Sequence, residues 1–395
     1  RTRHVMKILS VSSGRADAGI LSPVWQALAA MADIDLHIFL TGMHTQQNPG
    51  KTDFTGPENA TVHRGGSDLG GGAGSEAGIA MAEISRSMAS LCEFVAPDRI
   101  ILIGDCLDMV PAAMGSLPFN IPLIHIHGGE LSLGSIDDRN RHATTKLSHL
   151  HCAATVMAAT RICQMGEEPW RIRVTGAPGL DTLMAAEQLT EEAFASECGL
   201  SSTKGLRLVT VHPETNTAHP AAVLDPVLDA LDSQPAPTLF TASNADPGGE
   251  AMDRKIRKFA AERDWAVYCN SMGNRLYPNA LRLASVVLGN SSSGIIEAAL
   301  FGLNAINVGT RQEGREKGAN VHDCPADAAR IGELLHRFKS PATGAPDNSL
   351  YGDGQAAPRI ADFVRSAPDR DVLLDKKFYC GPASFYPPWV DEAAV

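Results

Sequence analysis

The decisive stretch of this chain reads Val286-Val287-Leu288-Gly289-Asn290-Ser291-Ser292-Ser293-Gly294-Ile295-Ile296-Glu297, and the apolar Ala298-Ala299-Leu300-Phe301 follows it. A short apolar run that breaks at a Gly/Ser turn and resumes with helical spacing predicts a buried strand, a tight turn and a helix start. The first helical amides lack partners and the serines add hydroxyl donors, so the turn suits a phosphate or diphosphate. Glu297, one turn further on, is placed to accept hydrogen bonds from ribose hydroxyls. The alternative is that the serines only cap the helix.

Strand-like and helix-like segments alternate along the whole chain, which predicts parallel sheets covered by helices on both faces. The predicted strands of the first half are Val5–Ser12, Leu36–Leu40, Arg99–Ile103, Pro122–His127 and Arg173–Thr175. The pattern restarts after Gly176–Gly179, with strands at Leu206–Val211, Thr238–Ala242, Trp265–Asn270, Ser285–Leu288 and Ala305–Val308. The fold class is therefore α/β, with two doubly wound Rossmann-like domains facing each other across a cleft.

The domain boundaries follow from this restart and from the pattern near the C-terminus. We expect an N-terminal Rossmann-like domain at 1–178, a C-terminal Rossmann-like domain at 179–364, and a tail at 365–395 that packs back on the N-terminal domain. Helix-like residues 360–364 and the aromatic pair Phe378-Tyr379 provide the means for this return.

Composition excludes several classes of protein. The chain has 395 residues, of which 44% are hydrophobic and 20% charged, as in an ordinary globular enzyme. Its net charge of −11 without basic runs argues against nucleic acid and anionic membranes as partners. Arg1-Thr2-Arg3-His4 leads into a strand-like run without a signal-peptide pattern, which predicts a cytoplasmic protein. The eight cysteines are scattered singly, which argues against zinc ribbons and disulfide frameworks.

Ionisable residues are concentrated where the strands of the first half end. They are Asp105, His125, His127, Glu130, Asp137, Asp138, Arg141 and His142. Paired carboxylates and histidines in one pocket allow one group to take a proton while another donates one. Asp137 or Asp138 has the alternative role of capping the following helix. His125 and His127 alternate along a strand and share one face, where hydrogen-bonded core or substrate contacts are favoured over a metal site.

Further polar groups follow other strands. Gly309-Thr310-Arg311-Gln312 is placed for arginine pairing with phosphate, with surface solvation as the alternative. The glycine-dense segment 64–74 is interpreted as a loop in preference to a phosphate cradle, because no strand leads into it.

Taken together, the motifs resemble one enzyme family, the UDP-hydrolysing UDP-N-acetylglucosamine 2-epimerases of sialic acid biosynthesis. The resemblance lies in Gly14-Arg15-Ala16-Asp17, Thr41-Gly42-Met43-His44, Gly104-Asp105, His125-Ile126-His127-Gly128-Gly129-Glu130, Ile136-Asp137-Asp138 with Arg141-His142, Lys146-Leu147-Ser148-His149, Gly176-Ala177-Pro178-Gly179-Leu180-Asp181, His212-Pro213, Gly289–Gly294 with Glu297, and Arg311-Gln312. The match keeps one order over almost the whole chain. It implies a glycosyltransferase-B-like fold, release of UDP with formation of N-acetylmannosamine through a 1,2-glycal, a homodimer, and no metal or NAD cofactor.

The resemblance also assigns roles to individual residues. The catalytic set is Asp105, His127, Glu130, Asp137, Arg141 and His212. The UDP-binding set is Arg15, Ser271, Gly273, Ser291, Ser292, Ser293, Gly294 and Glu297. His44 and Arg311 would contact the rest of the substrate, a UDP-N-acetylhexosamine.

Three departures from the family pattern bear on the choice of substrate. Gly104-Asp105-Cys106-Leu107-Asp108 stands where the family has Gly-Asp-Arg-x-Glu, His127 stands where some relatives have glutamate, and Ile20 where some have lysine. A UDP-2,4-diacetamido-2,4,6-trideoxyhexose of legionaminic acid synthesis is therefore an alternative substrate. A UDP-sugar-dependent glycosyltransferase and a non-catalytic UDP-sugar sensor are alternative functions.

Overall fold

The computed structural model describes residues 5–45, 56–69, 74–133, 136–214, 217, 219–243, 248–339, 350–385 and 387–389. The chain divides into two compact units. Unit 1 consists of Arg1–Leu131, Ser135–Thr182 and Tyr351–Val395, and unit 2 of Ser132–Gly134 and Leu183–Leu350. Part of the glycine-dense segment interpreted as a loop, 70–73, lies outside the described residues.

Unit 1 is built on a parallel sheet that has seven strands within the described residues. They are β1 (Met6–Ser12), β2 (Ile34–Leu40), β3 (Ala60–Arg64), β4 (Arg99–Ile103), β5 (Leu123–Ile126), β6 (Leu150–Ala153) and β7 (Ile172–Val174). The strand order is β3-β2-β1-β4-β5-β6-β7, which is the doubly wound arrangement. Strands β4 and β5 are buried along their whole length, as expected when helices cover both faces of a parallel sheet.

Helices cover this sheet and include two from the end of the chain. They are α1 (Arg15–Ala29), α2 (Ser75–Val95), α3 (Met109–Ser116), α4 (Ile136–Leu147), α5 (Val156–Gln164), α6 (Gly179–Ala185), α13 (Ala356–Ser366) and α14 (Arg370–Leu374). Ile360, Ala361 and Val364 of α13 are fully buried in the core that α1 and the sheet also form. Burial of this apolar stripe stabilises the return of the chain to unit 1.

Unit 2 repeats the same architecture on a parallel sheet that has six strands within the described residues. They are β8 (Arg207–Thr210), β9 (Thr238–Thr241), β10 (Ala266–Cys269), β11 (Val286–Gly289), β12 (Asn304–Val308) and β13 (Val321–Cys324), in the order β10-β9-β8-β11-β12-β13. Its helices are α7 (Glu191–Cys198), α8 (Leu224–Ser233), α9 (Gly249–Ala261), α10 (Gly273–Leu283), α11 (Ser293–Ile296) and α12 (Ala328–Arg337). Short 3-10 turns lie at Gly42–Thr45, Leu117–Phe119, Pro169–Arg171 and Ala298–Phe301.

The structure differs from the sequence-based predictions in two respects. The C-terminal part of unit 1 begins at Tyr351 and not at 365, because α13 already buries its apolar face in the core of unit 1. Helix α1 begins at Arg15, and the Asp17 carboxylate in its first turn accepts hydrogen bonds from the backbone amide and the hydroxyl of Ser13. Strands β3, β6 and β13 were not predicted, because a histidine, alone or with other polar residues, interrupts the apolar run in each of these short segments.

Within the described residues, no helix combines the length and the apolar character needed to cross a bilayer.

Candidate active site

The polar clusters lie at equivalent places in the two sheets. In unit 1 the strand order reverses between β1 and β4, and in unit 2 between β8 and β11. Ligands of doubly wound sheets bind beyond the carboxyl ends of the strands at such a switch point. Arg15 follows β1 and Asp105 follows β4, whereas His212 follows β8 and Asn290 follows β11.

A buried arginine organises the site of unit 1. The Arg141 side chain, on α4, is 4% exposed and its guanidinium pairs with the Asp105 carboxylate, which is 25% exposed. The same guanidinium donates a hydrogen bond of 2.7 Å to the backbone carbonyl of His127. Arg141 therefore joins the ends of β4 and β5 and holds the Asp105 carboxylate at the edge of the protein, where it remains accessible.

His127 and Glu130 form a second ionisable pair next to the first. His127 Nδ1 lies 2.5 Å from Glu130 Oε1, and both side chains are almost buried. His127 adopts a left-handed backbone conformation with φ of 62°, which is uncommon for a residue other than glycine and concentrates at functional sites. The structure thus brings four of the predicted catalytic residues together, Asp105, His127, Glu130 and Arg141.

His125 lies in a different environment from His127. Strand β5 ends at Ile126 and the backbone turns at His127, so the prediction that the two histidines share one face of the strand is wrong. The His125 ring is fully buried between the carbonyl oxygen of Gly104, at 2.8 Å, and the Thr145 hydroxyl, at 3.0 Å. Burial lowers the pKa of His125 to about 3, so the ring is neutral and donates to the Gly104 carbonyl. It supports the residue before Asp105 and belongs to the core.

The remaining predicted residues of unit 1 surround this centre. Asp137 lies in the first turn of α4, where its neighbour Asp138 is 3.5 Å from His142. Arg15 is exposed in the first turn of α1. His44 lies in the 3-10 turn after β2, with Nε2 3.0 Å from the Ser12 hydroxyl, and burial lowers its pKa.

The segment Gly104-Asp105-Cys106-Leu107-Asp108 contributes one buried acid, Asp108, and Asp17 of α1 is a second. The Cys106 thiol lies 3.7 Å from the carboxylate of Asp17, and burial raises the pKa of Asp17. Burial also raises the pKa of Asp108 to about 7, and the charge of Asp17 adds to this effect. Asp17 and Asp108 therefore resist ionisation.

In unit 2 the backbone of His212 is held by one buried side chain. The Asn290 carboxamide accepts from the His212 amide at 2.7 Å and donates to the His212 carbonyl at 2.9 Å. The backbone carbonyl of Asn290 accepts a hydrogen bond of 2.9 Å from the Gln312 carboxamide. Asn290 therefore ties together the ends of β8, β11 and β12.

The serine turn leads into a very short helix. Helix α11 has only four residues, Ser293–Ile296, before a 3-10 turn continues it. The expected helix dipole is correspondingly small, so amides and hydroxyls of the turn are the main donors. Ser291 and Ser292 are partly exposed, and Gly294 is buried against β11 and β12.

Glu297 is held by two hydroxyl groups. Ser293 Oγ donates to Glu297 Oε2 at 2.5 Å, and the Tyr277 hydroxyl, from α10, contacts Ser293 Oγ. Burial raises the pKa of Glu297, and the hydrogen bonds of Ser293 and Tyr277 oppose this shift. The Ser293 hydroxyl is therefore directed towards Glu297, and a ribose that binds this carboxylate has to share it with Ser293.

Three further predicted residues lie on neighbouring loops of unit 2. Ser271 is exposed between β10 and α10, and Gly273, the exposed first residue of α10, has φ of +58° with open space at its α-carbon. Arg311 follows β12, and the backbone amides of Thr310 and Arg311 donate to the Glu214 carboxylate at 2.6 and 3.1 Å. The amides after β12 thus form a site that already holds a carboxylate.

Sequence reasoning assigned no role to Asn290, Tyr277 or Thr145. Asn290 had a signal, because it follows a buried strand directly. No feature of the sequence pointed to Tyr277 or Thr145, because each lies within a helix and not in a polar segment directly after a strand. Among the described residues, no group of three or more histidine, cysteine or acidic side chains could hold a metal ion.

A family model described as UDP-N-acetylglucosamine 2-epimerase matches residues 26–365. The chain belongs to this family. The resemblance drawn from the sequence motifs is thereby confirmed, and with it the assignment of the chain to a family of UDP-sugar epimerases.

Individual family members match over nearly their whole length. The chain is 32% identical to a UDP-N,N'-diacetylbacillosamine 2-epimerase (hydrolyzing) of Legionella pneumophila over 379 residues, which is 94% of this chain and 99% of that one. It is 29% identical to a UDP-N-acetylglucosamine 2-epimerase of Neisseria meningitidis, over 94% and 98% of the two chains.

A solved structure of the family shows the same fold. The UDP-GlcNAc 2-epimerase from Neisseria meningitidis, in a crystal structure bound to UDP-GlcNAc, aligns with a TM-score of 0.73 at 16% identity, over 92% of this chain and 100% of that one. The predicted fold class, two doubly wound Rossmann-like α/β domains, is confirmed by the two parallel sheets and by this likeness.

Proposed function

We propose that this family member is a hydrolysing 2-epimerase that converts UDP-N-acetylglucosamine into N-acetylmannosamine and UDP, for synthesis of a sialic-acid-type sugar. The observation that carries the proposal is the pair of ionisable contacts Asp105–Arg141 and His127–Glu130 at the carboxyl ends of β4 and β5. A base and an acid in one place are what inversion at a carbon next to a leaving group requires.

The reaction has two stages in this proposal. Asp105 removes the proton at C2 while the bond between C1 and UDP breaks, which leaves a double bond between C1 and C2. Water then adds its oxygen to C1, and C2 receives a proton on the opposite face from an acid such as Asp137. Arg141 keeps the Asp105 carboxylate oriented, and His127 with Glu130 offers a second route for protons.

Unit 2 supplies most of the nucleotide contacts in this proposal, and Arg15 is the contact from unit 1. The amides and hydroxyls of Ser291–Ser293 with Gly294 bind phosphate, and Glu297 accepts from the ribose. Ser271, Gly273, Arg15 and Arg311 complete the UDP and substrate contacts, with His44 near the sugar. His212 contributes to catalysis, and Asn290 fixes the backbone that carries it. The homodimer remains a proposal from the resemblance, which light scattering would test.

The relative from Legionella pneumophila supports a second candidate substrate, UDP-N,N'-diacetylbacillosamine. This sugar presents an acetamido group at C4 and a methyl group at C5. UDP-N-acetylglucosamine presents a hydroxyl group at C4 and a hydroxymethyl group at C5. The elimination at C1 and C2 is the same for both, so the two candidates differ only in the recognition of the far side of the sugar.

The test is nuclear magnetic resonance of the reaction in deuterated water, with a small panel of UDP-N-acetylhexosamines and no acceptor. We expect release of UDP with one free 2-epimeric sugar that carries deuterium at C2. Strict dependence on an acceptor would establish a glycosyltransferase instead, and tight binding without turnover would establish a sensor. Product without deuterium at C2 would exclude the elimination.

A further inference from the structure

A buried ionic cluster lies at the far end of α4 from the candidate active site. Lys376 of the returning C-terminal segment is part of it. Its centre is Glu167, whose side chain is fully buried. The carboxylate lies 2.6 Å from Lys146 Nζ, 3.1 Å from His151 Nε2 and 2.8 Å from Lys376 Nζ. Burial opposes ionisation of Glu167, but these three donors outweigh it and lower its pKa to about 2.

Lys376 also caps the end of α4. Its ammonium donates to the backbone carbonyl of Lys146 at 2.8 Å and to that of Ser148 at 2.5 Å. The last carbonyls of a helix lack intrahelical partners, and a cation at this end also interacts favourably with the helix dipole. A side chain of the returning segment therefore satisfies one carbonyl in the last turn of α4 and the carbonyl of Ser148 just beyond it.

Several contacts hold the returning segment in a defined place beside this cap. The fully buried guanidinium of Arg171 donates to the carbonyls of Leu373 at 2.8 Å and Asp375 at 3.0 Å. The amide of Tyr379 donates to the Gly166 carbonyl at 2.9 Å. Lys376 thus extends from a fixed backbone, and its ammonium is a fixed reference point for α4.

Helix α4 connects this cap to the candidate active site. Thr145 donates to the carbonyl of Arg141 at 2.9 Å and contacts the buried ring of His125. Arg141 lies five residues before Lys146, about 7.5 Å along the helix axis at the usual rise per residue. Because a helix is stiff over this length, its end position sets where the Arg141 guanidinium meets Asp105.

We propose that Lys376 is a positioning residue for the epimerisation reaction: it fixes α4 along its axis and so holds Arg141 and Asp137 in register with Asp105. The inference rests on the proposed function only in taking Asp105, Asp137 and Arg141 as catalytic groups. It assigns to the C-terminal segment a part in the chemical step and none in UDP binding, whose proposed contacts lie mostly in unit 2.

The experiment compares Lys376→Met, which keeps the apolar stem but removes the donors, with Lys377→Met as the matched control. The Lys377 side chain is 72% exposed and lies 3.6 Å from Asp375. For Lys376→Met we expect kcat to fall about 10- to 100-fold, the effect of a misplacement of about 1 Å, with KM and the Kd of UDP within about twofold of wild type. Lys377→Met should match wild type in all three.

Lys376→Arg is the second variant, because it retains the charge and the donors and is expected to fold even if Lys376→Met does not. It should recover part of the lost kcat. Wild-type kcat in folded Lys376→Met would overturn the proposal. If only Lys376→Arg folds, a fall in its kcat with unchanged hydrogen exchange in α4 would overturn it. So would a fall in kcat accompanied by an equal weakening of UDP binding, which indicates general destabilisation.

Hydrogen exchange of the α4 amides separates this inference from the proposed function. In Lys376→Met we expect the amides of residues 141–147 to exchange about 10-fold faster, with those of α10 unchanged. If the wild-type protein turns over no UDP-sugar, the proposed function fails while this measurement still decides whether Lys376 fixes α4. Unchanged exchange in α4 would overturn the positioning role whatever the activity.

Discussion

The switch points of units 1 and 2 are equivalent in topology, but the functional groups at their strand ends differ. In unit 1 the strand ends carry carboxylates, imidazoles and a buried guanidinium in close pairs. In unit 2 they carry hydroxyls, amides and the Asn290 carboxamide, with Glu297 held by Ser293 and Tyr277. Charged pairs can exchange protons, whereas neutral donors can bind an anion without titrating. In the proposed function, the same arrangement of strands serves mainly the chemical step in unit 1 and mainly nucleotide binding in unit 2, with His212 and Arg15 as the exceptions.

The largest effect should come from Asp105→Asn, which removes the proposed base but keeps its shape. We expect kcat to fall by roughly 10²- to 10⁴-fold, the range of general acid–base groups, with little change in the Kd of UDP. Steady-state kinetics and calorimetric titration of UDP measure the two quantities. Asp232→Asn on the exposed surface of unit 2 is the control. Normal turnover in folded Asp105→Asn would show that Asp105 is not the base, and would contradict the assignment of the chemical step to unit 1.

Acid should destabilise the protein through the buried histidines of unit 1. Burial, with the nearby charges of Lys376 and Arg171, lowers the pKa of His149 from 6.5 to about 4. The unfolded chain therefore takes up this proton first, so stability present above pH 6.5 is lost as the pH falls towards 4. Between pH 7.5 and 5 the loss from such a group is about 2 kcal/mol in the free energy of unfolding.

Urea unfolding at these two pH values measures this loss. His149→Gln should lose about 2 kcal/mol less than wild type between them, because it has no proton to take up. His336→Gln, at an exposed position of α12, should behave as wild type. An identical pH dependence in wild type and His149→Gln would show that His149 is not the source.

Glu297→Ala tests the binding side of the comparison. Loss of a charge-assisted hydrogen bond to the ribose should weaken UDP by ~1.5–3 kcal/mol, whereas the fold is retained. Titration calorimetry with UDP measures the change, and circular dichroism checks the fold. Glu262→Ala, an exposed carboxylate beyond the end of α9, is the control. UDP affinity equal to wild type in the folded Glu297 variant would place the ribose elsewhere.

The smallest effect should come from Tyr277→Phe, which removes only the hydroxyl that contacts Ser293. Because Tyr277 helps to orient Ser293 and Glu297, we expect UDP to weaken by ~0.5–1.5 kcal/mol, the net value of one neutral hydrogen bond. Tyr379→Phe, whose hydroxyl donates to the Pro382 carbonyl in unit 1, is the matched control. A loss of kcat with unchanged UDP affinity would show that Tyr277 supports the chemical step and not UDP binding.

Most of the fold was predictable because it depends on local patterns. Buried strands such as β4 and β11 are continuous apolar runs, and the polar residues that end them are visible in the chain. Short strands such as β13 were missed, because four residues of mixed burial carry too little periodicity. The helix start predicted after the serine turn is present as α11, which has only four residues before Ala298–Phe301 continue as a 3-10 turn.

The sequence by itself determined the two parallel sheets, the polar groups at their strand ends and the family, because each depends on residue order and spacing. The tertiary structure alone decided which groups meet. Arg141 reaches Asp105, Tyr277 reaches Ser293 and Lys376 reaches Glu167 across long stretches of chain. It also separated the buried, neutral His125 from His127, two residues on, through one left-handed backbone angle. Hydrogen bonds and charge pairs act over a few ångströms in space, and the separation of residues along the chain does not specify those distances.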